Sequence, residues 1–358
     1  MTGQGEAMVV QIAPNDHPPF ADICATYRAA LDSLGCRHTT IMLAPPFAEP
    51  DPDATYLDIG NLGSVRRAGR TLAGALPSKP LVAICHRYRA YRVLRASGVK
   101  IPRVVAVAHE FGFFKRRQRR LERRLFARSV LFAGVSPAVQ AELGAEVDDP
   151  LCLPNALDVA ALDRDRLERD QALDVLGVED SDSLTIGIVG RLVRKKAPKL
   201  ALDTLRLLVT EQNRDVRLLV IGDGPMADEL RAQAAGIPVV FCGFVPHARR
   251  LFTALDLLLL TSEEVEAFGM VALEAMCAGV PVVAGPAPGP QFVLGSSGYY
   301  YTRRQPDDVA EAVLRLERDR QTGQLDARLE HARARAVREF SVGALARHLD
   351  DLFFRGAR

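Results

Sequence analysis

The stretch LDLLLLTSEEVEAFGMVALEAMCAGVPVVA (255–284) divides into three parts. LDLLLL (255–260) is a continuous apolar run of strand length. From about Phe268 to Ala278 the residues are small or apolar over a helical length, and Gly279 stands where a left-handed glycine stops a helix. VPVVA (280–284) is a second short β-branched run. Strand, helix and strand in that order make a crossover unit whose strands run parallel and are covered on both faces.

The same alternation extends in both directions. Apolar runs at 8–13, 39–43, 81–85, 103–108, 130–135 and 151–154 precede it, and runs at 184–189, 216–222, 238–243 and 298–301 complete a second set. Two sets imply an α/β chain with two doubly wound, Rossmann-like parallel-sheet domains. The expected boundaries are 1–160 for the first domain, 161–183 for a charged, part-helical linker and 184–340 for the second. A C-terminal helix of about 341–358 is expected to pack back on the first. Ligands of such sheets bind at the carboxyl ends of the strands, so two sheets facing each other predict a site in the cleft between domains.

Composition narrows the function classes. The chain has 358 residues, a formal net charge of +2, 48% hydrophobic and 25% charged residues. That profile fits a soluble globular protein and carries no global polyanion signal. The six cysteines form no CxxC pair and lie mostly in apolar runs, which reads as buried thiols in a reducing compartment. No secretory leader pattern opens the chain and no apolar run reaches spanning length, so a cytoplasmic protein is expected, peripheral to a membrane at most.

Chemistry concentrates just after the strands. In IGIVGRLVRKKAP (186–198), Gly190 ends a strand and permits close backbone approach, and Arg191 and Lys196 can converge on one dianion such as a diphosphate. VIGDGPMADEL (220–230) matches G-x-G-x-x-A, but no acid follows at ribose distance, so Gly222 reads as part of a tight turn lining the site rather than of an NAD site. The helix that follows TSEEVEAFG presents the N–H groups of Phe268, Gly269, Met270 and Val271 as an anion site. Glu266, just before it, can reach hydroxyls on whatever is attached to that anion. Glu274 stands inside an apolar segment, and a buried carboxylate needs partners such as ribose hydroxyls.

GRLVRKKAP, VIGDGP, CGFVP, EAFGMVALEAM and AGVPVV together resemble the C-terminal domain of the retaining family-4 glycosyltransferases, which have the GT-B fold. Glu266 and Glu274 form that family's E-x7-E pair. In the first half, VAVAHEFGF (105–113) is similar to its histidine loop. The resemblance implies an acceptor-side first domain and a nucleotide-sugar-binding second domain. Arg191 and Lys196 would hold the diphosphate, Glu274 the ribose and Glu266 the donor sugar. Backbone around Phe244 and Val245 would read the base, and His109 would reach the donor sugar. A nucleotide-diphosphate sugar, most favourably a UDP-sugar, is the implied co-substrate, with no further cofactor and no metal. Charge developing on the diphosphate would be met by Arg191, Lys196 and the helix N-terminus, with the leaving phosphate as base. The implied acceptor is a saccharide or lipid-linked cell-envelope component, such as lipopolysaccharide core or a glycolipid. The chain departs from the family at APNDHPPFAD (13–22), at Ala197, and at Gln291, where an acid is usual. A sugar-nucleotide epimerase on the same fold and a non-catalytic nucleotide-binding protein are the alternatives.

FGFFKRRQRRLERRLFAR (111–128) packs eight cations against one acid. A basic amphipathic helix bordered by phenylalanines is expected to dock on anionic membrane through Lys115, Arg116, Arg117, Arg119, Arg120, Arg123 and Arg124. Nucleic acid is not expected as a partner, since no groove-reading module accompanies the helix.

Overall fold

The structure is a computed structural model that describes residues 8–47, 49–59, 64–126, 130–263 and 265–355. The chain forms two compact units, Met1–Leu157 with Glu339–Arg358, and Asp158–Arg338.

The first unit holds a seven-stranded sheet of β1 (Met8–Ala13), β2 (Arg37–Met42), β3 (Ala54–Tyr56), β4 (Val82–His86), β5 (Arg103–Ala108), β6 (Val130–Gly134) and β7 (Leu151–Cys152). Its order is β3-β2-β1-β4-β5-β6-β7, and every neighbouring pair is parallel. The connecting helices are α1 (Phe20–Ser33), α2 (Val65–Ala75), α3 (Arg87–Ser97), α4 (Arg117–Phe126) and α5 (Pro137–Gly144). Strand β3 has no counterpart among the expected runs. It is a three-residue edge strand preceded by Asp51-Pro52-Asp53, too short and too polar in its flanks to give a period.

The second unit opens with α6 (Val159–Asp165) and α7 (Arg169–Leu176). Most of the segment expected as a linker is therefore helical and belongs to this unit. Asp158 caps α6 by accepting from Ala161 N–H at 2.9 Å, and Glu168 and Gln171 form a capping box on α7. Arg333 ties α6 down through Asp163 at 2.6 Å. The sheet that follows contains β8 (Leu184–Val189), β9 (Val216–Ile221), β10 (Val239–Gly243), β11 (Leu257–Leu260), β12 (Val282–Ala284) and β13 (Tyr299–Tyr300) in the order β10-β9-β8-β11-β12-β13, again parallel. Its helices are α8 (Pro198–Thr210), α9 (Ala227–Gln233), α10 (Met270–Ala278), α11 (Pro288–Leu294), α12 (Pro306–Gln321) and α13 (Gln324–Phe340). One core layer packs Ile186, Leu218, Leu257 and Val283 of the sheet with Leu205 of α8 and Val313 of α12. Burying each such side chain stabilises by ~1.5–3 kcal/mol.

The chain then returns to the first unit. Leu157 N–H donates to Phe340 O at 2.8 Å, and α14 (Val342–Asp350) packs on α1. Among the described residues no helix is long and apolar enough to cross a membrane.

Serine 136 illustrates how strands hand over to helices here. It is fully buried, its Oγ accepts from Val139 N–H at 3.4 Å, and Pro137 occupies the first helical position. Gly134, two residues earlier, lies against the backbone of Val139 and Gln140, where a Cβ would meet Gln140 N at 2.5 Å. Neither wall is a flexible side chain, so α5 must retreat from the sheet to admit a methyl group. Gly134→Ala is expected to lower stability by ~1–3 kcal/mol, read by denaturant unfolding. An unchanged midpoint would show that α5 is free to slide.

Candidate active site

The second unit builds a basic loop at the carboxyl end of its sheet. The chain leaves β8 at Gly190 (φ +133°), passes Arg191, and tightens into a 3₁₀ turn at Arg194–Lys196. Ala197 follows in the left-handed region at φ +43° and Pro198 starts α8. An alanine here carries steric strain that a glycine would not. The loop after β11 holds this turn from the side. Thr261 Oγ1 donates to Lys196 O at 2.8 Å, and Glu263 N–H donates to Lys195 O at 2.8 Å. Gly190, Arg191, Lys196, Thr261 and Ser262 line a small cavity of about 30 Å³, room for about one water molecule. Lys196 Nζ meets Glu266 Oε2 at 2.5 Å, with both side chains mostly shielded from solvent.

Helix α10 begins later than the sequence suggests. Gly269 is its N-cap at φ +94°, and Gly269 O accepts from Ala272 and Leu273 N–H. Met270 and Val271 are thus the first helical residues, whose N–H groups have no acceptor within the helix. Phe268 lies outside it, buried, with its ring 6.3 Å from that of Phe292. The turn is supported from below by α11. Gly289 N–H donates to Glu266 O at 3.0 Å, and a Cβ on Gly289 would collide with the backbone of Glu266, Ala267 and Phe268. Glu274 is half-buried rather than buried, and Gln291 is exposed.

Gly222 has a structural task. A Cβ there would strike Gly190 O, and one on Gly224 would strike Leu192 O. The first two glycines of the G-x-G-x-x-A match therefore let the turn after β9 press on the turn after β8. Gly222 N–H donates to Gly243 O at 2.7 Å, which anchors the strand end before Phe244 and Val245. Phe244 is exposed and Val245 half-buried.

In the first unit, His109 follows β5 and belongs to a chain of side chains that sequence reading missed. Thr40 Oγ1 donates to Gln11 Oε1 at 3.5 Å, and Gln11 Nε2 lies 3.1 Å from His86 Nε2. His86 Nδ1 lies 2.8 Å from His109 Nε2. An amide nitrogen can only donate, so His86 Nε2 accepts. Burial pushes the His86 pKa down to about 3, so the ring is neutral and its one proton sits on Nδ1. That proton is donated to His109 Nε2. Burial, and then His86 and Arg87, hold His109 well below the ordinary histidine range as well. It too is neutral and carries its proton on Nδ1. Asn155 lies close enough to favour the charged form of His109, yet neither His109 Nδ1 nor Asn155 Oδ1 completes a hydrogen bond among the described residues. The signal available in the sequence was positional: Gln11 within β1 and His86 at the end of β4.

The basic segment is less uniform than its composition. Phe113 and Phe114 are buried core residues that stack with Tyr88 and Phe132, so they are not a membrane-inserting border. Arg119 faces inward, stacking 4.5 Å over the Tyr88 ring and donating to Gly112 O and Phe113 O. Arg120 pairs with Glu146 at 2.8 Å. Lys115, Arg116 and Arg117 are exposed, as is Leu121. The side chains of Arg123 and Arg124 lie outside the described residues.

The two imidazoles set a pH dependence. Their folded pKa values lie below the unfolded value near 6.5, so the unfolded chain binds more protons once the pH falls below that value. Stability is full above about pH 6.5 and is lost as pH falls. For His86 alone the loss is ~2 kcal/mol by pH 5. His86→Gln is expected to flatten the dependence of denaturant midpoint on pH between 7 and 5; a slope as steep as that of the unaltered protein would assign the effect elsewhere.

Comparison with known proteins bears on this site. Residues 183–319 match the family model described as Glycosyl transferases group 1. The 2-deoxystreptamine glucosyltransferase of Streptomyces kanamyceticus is 32% identical over 168 residues, 45% of this chain and 43% of that protein. The matched stretch spans less than half the length of such curated relatives. Among solved structures, a glycosyltransferase from Rickettsia africae superposes with a TM-score of 0.81 at 14% identity, covering 98% of each chain. Anabaena HepE in complex with UDP-glucose superposes with a TM-score of 0.75 at 20% identity, covering 96% of this chain and 98% of that one. The chain has the GT-B fold of two Rossmann-like units, and its residues 183–319 match the model of the group 1 glycosyltransferases.

Proposed function

We propose that the protein is a retaining, metal-independent glycosyltransferase that moves a sugar from a nucleotide-diphosphate donor, best a UDP-sugar, to a saccharide or lipid-linked acceptor of the cell envelope. The observation that carries this reading is the Lys196–Glu266 pair beside Arg191, inside the matched segment. A lysine held 2.5 Å from a carboxylate is a cation already positioned and already neutralised. An arriving diphosphate takes over the lysine, with Arg191 and the Met270 and Val271 N–H groups as further donors. Glu266 is then released to accept from hydroxyls of the attached sugar. Glu274 is assigned to the ribose, and backbone at Phe244 and Val245 to the base. UDP-glucose is the ligand of HepE, and the Streptomyces relative is a glucosyltransferase, which supports the donor class.

In the reaction the bond between the sugar C1 and the phosphate oxygen breaks, with its electron pair leaving on the diphosphate. The acceptor oxygen bonds to C1 from the same face, and its proton passes to the leaving phosphate oxygen. Arg191 and Lys196 stabilise charge where it develops, which is electrostatic catalysis. His109 is assigned to a hydroxyl of the donor sugar.

Thermal-shift titration with UDP-, GDP- and ADP-sugars tests the donor, because a ligand of the native state alone raises its stability. Arg191→Ala and Lys196→Ala are each expected to lower kcat by ~10²–10³, and EDTA to have no effect. A reproducible Mg²⁺ or Mn²⁺ requirement would overturn the metal-free reading. Glu274→Ala should weaken UDP binding by ~1.5–3 kcal/mol, whereas Glu266→Ala should spare UDP and impair use of the UDP-sugar. Equal loss of both in the two variants would mean that the roles are divided wrongly.

Peripheral docking on anionic membrane at the cytoplasmic face is also proposed, now resting on exposed Lys115, Arg117 and Leu121. Sedimentation with phosphatidylglycerol vesicles should fall as salt rises and should fall in a Lys115→Gln/Arg117→Gln variant. Retention of binding by that variant would leave these side chains merely solvated.

A further inference from the structure

A second cavity, of about 340 Å³, lies wholly within the first unit among α2, α3 and α4. Arg89, Arg92, Arg116 and Arg119 line it. Among the described residues the sole acid on its wall is Glu122, which is already committed. Glu122 accepts from Tyr88 Oη at 2.5 Å, from Arg92 Nε at 3.1 Å and from Gln118 Nε2 at 3.0 Å. Arg92 and Arg119 are therefore fixed, the first by Glu122 and the second by Tyr88 and backbone carbonyls. The side chains of Arg89 and Arg116 have no ion-pair or hydrogen-bond partner among the described residues, and both residues are exposed. Burial, and then the charges of Arg116 and Arg92, disfavour the charged form of Arg119. Like charges thus converge on one space without enough acid to balance them.

We propose that this cavity binds a phosphomonoester. Four guanidinium groups against one carboxylate leave more positive charge than a single ligand carboxylate would neutralise, and a phosphate dianion neutralises more of it. Guanidinium forks suit phosphate oxygens in paired hydrogen bonds, and two of the four are held in place before the ligand arrives. The volume lies within the range of small-ligand sites and leaves room for the sugar or polyol that carries the phosphate. Ile59, Val65 and Val93 provide an apolar floor for it. Where the glycosyltransferase reading holds, to which this assignment adds the substrate class, the ligand is a phosphorylated acceptor.

The test is isothermal titration of the full chain with glucose 6-phosphate, with glucose and inorganic phosphate in parallel, and with UDP as a separate ligand. Glucose 6-phosphate is expected to bind, glucose is not, and inorganic phosphate should compete. Arg89→Gln and Arg116→Gln, both at exposed side chains, should each weaken glucose 6-phosphate at least tenfold and leave UDP binding unchanged. Arg117→Gln, at a neighbouring exposed arginine that does not line the cavity, should leave both ligands unaffected. Equal weakening by Arg117→Gln would reduce the effect to general surface charge and overturn the site. Loss of glucose 6-phosphate binding in Arg191→Ala, with none in Arg89→Gln, would place the phosphate at the loop after β8 and likewise overturn it. A protein that ignores soluble phosphates at millimolar concentration but loses phosphatidylglycerol vesicles on Arg89→Gln would assign these arginines to a lipid surface instead. Failure to bind any nucleotide sugar, with the glucose 6-phosphate pattern intact, would refute the donor reading and leave the phosphate site standing.

Discussion

Two turns of the second unit are built on backbone touching backbone. Gly222 rests on Gly190 and Gly224 on Leu192, each in a place no side chain could share. Hydrogen bonds stitch the same contact: Gly190 N–H to Ile221 O, Leu192 N–H to Asp223 O, and Met226 N–H to Leu192 O. The loop that carries Arg191 and Lys196 is thereby fixed on one side, and Thr261 and Glu263 fix it on the other. An ammonium group can be presented accurately only if the backbone beneath it does not yield. The strained Ala197 persists for the same reason, since the hydrogen bonds on both sides determine its conformation.

The fold was legible because parallel strands buried on both faces leave unbroken apolar runs, as in LTIGIV and LDLLLL. Periodicity failed where burial is partial or elements are short. Strand β3 is three residues long, and α6 and α7 were obscured by the charge of a helix with one wet face. The basic turn after β8 was also legible, through glycine and basic residues placed just after a strand. Pairings were not. Nothing in the sequence says that Lys196 and Glu266, seventy residues apart, neutralise each other. Nor does composition separate Arg119, turned inward onto Tyr88, from Arg117, which faces water. A run of arginines reports charge, and only tertiary packing decides which of them is surface. Phe113 and Phe114 make the same point, because apolar residues beside a basic helix serve a core or a bilayer equally well by pattern.

The two units manage cationic groups differently. Around Lys196 the ammonium is paired with a carboxylate at contact distance. Around α4, one carboxylate is shared among the hydroxyl, amide and guanidinium groups that reach it. Repulsion between like charges in a partly shielded space is a cost the fold must offset elsewhere. Here Phe113, Phe114, Tyr88 and Phe132 supply that offset through an edge-on aromatic cluster beneath the arginines.

The histidine chain shows why a buried polar row can be more specific than a charged one. Were His86 protonated, both of its ring nitrogens would donate, and Gln11 would have to turn its amide to meet it, reversing the direction of its hydrogen bond with Thr40. Full burial of His86 removes that state, since a charged ring there lacks a counter-ion and loses its hydration. With charge excluded, proton position is passed along the row by hydrogen bonding alone: the amide fixes His86, and His86 fixes His109. The end of the row is then an N–H donor with no competing tautomer. The low dielectric around β1, β4 and β5 therefore holds both imidazoles neutral, each in one tautomer.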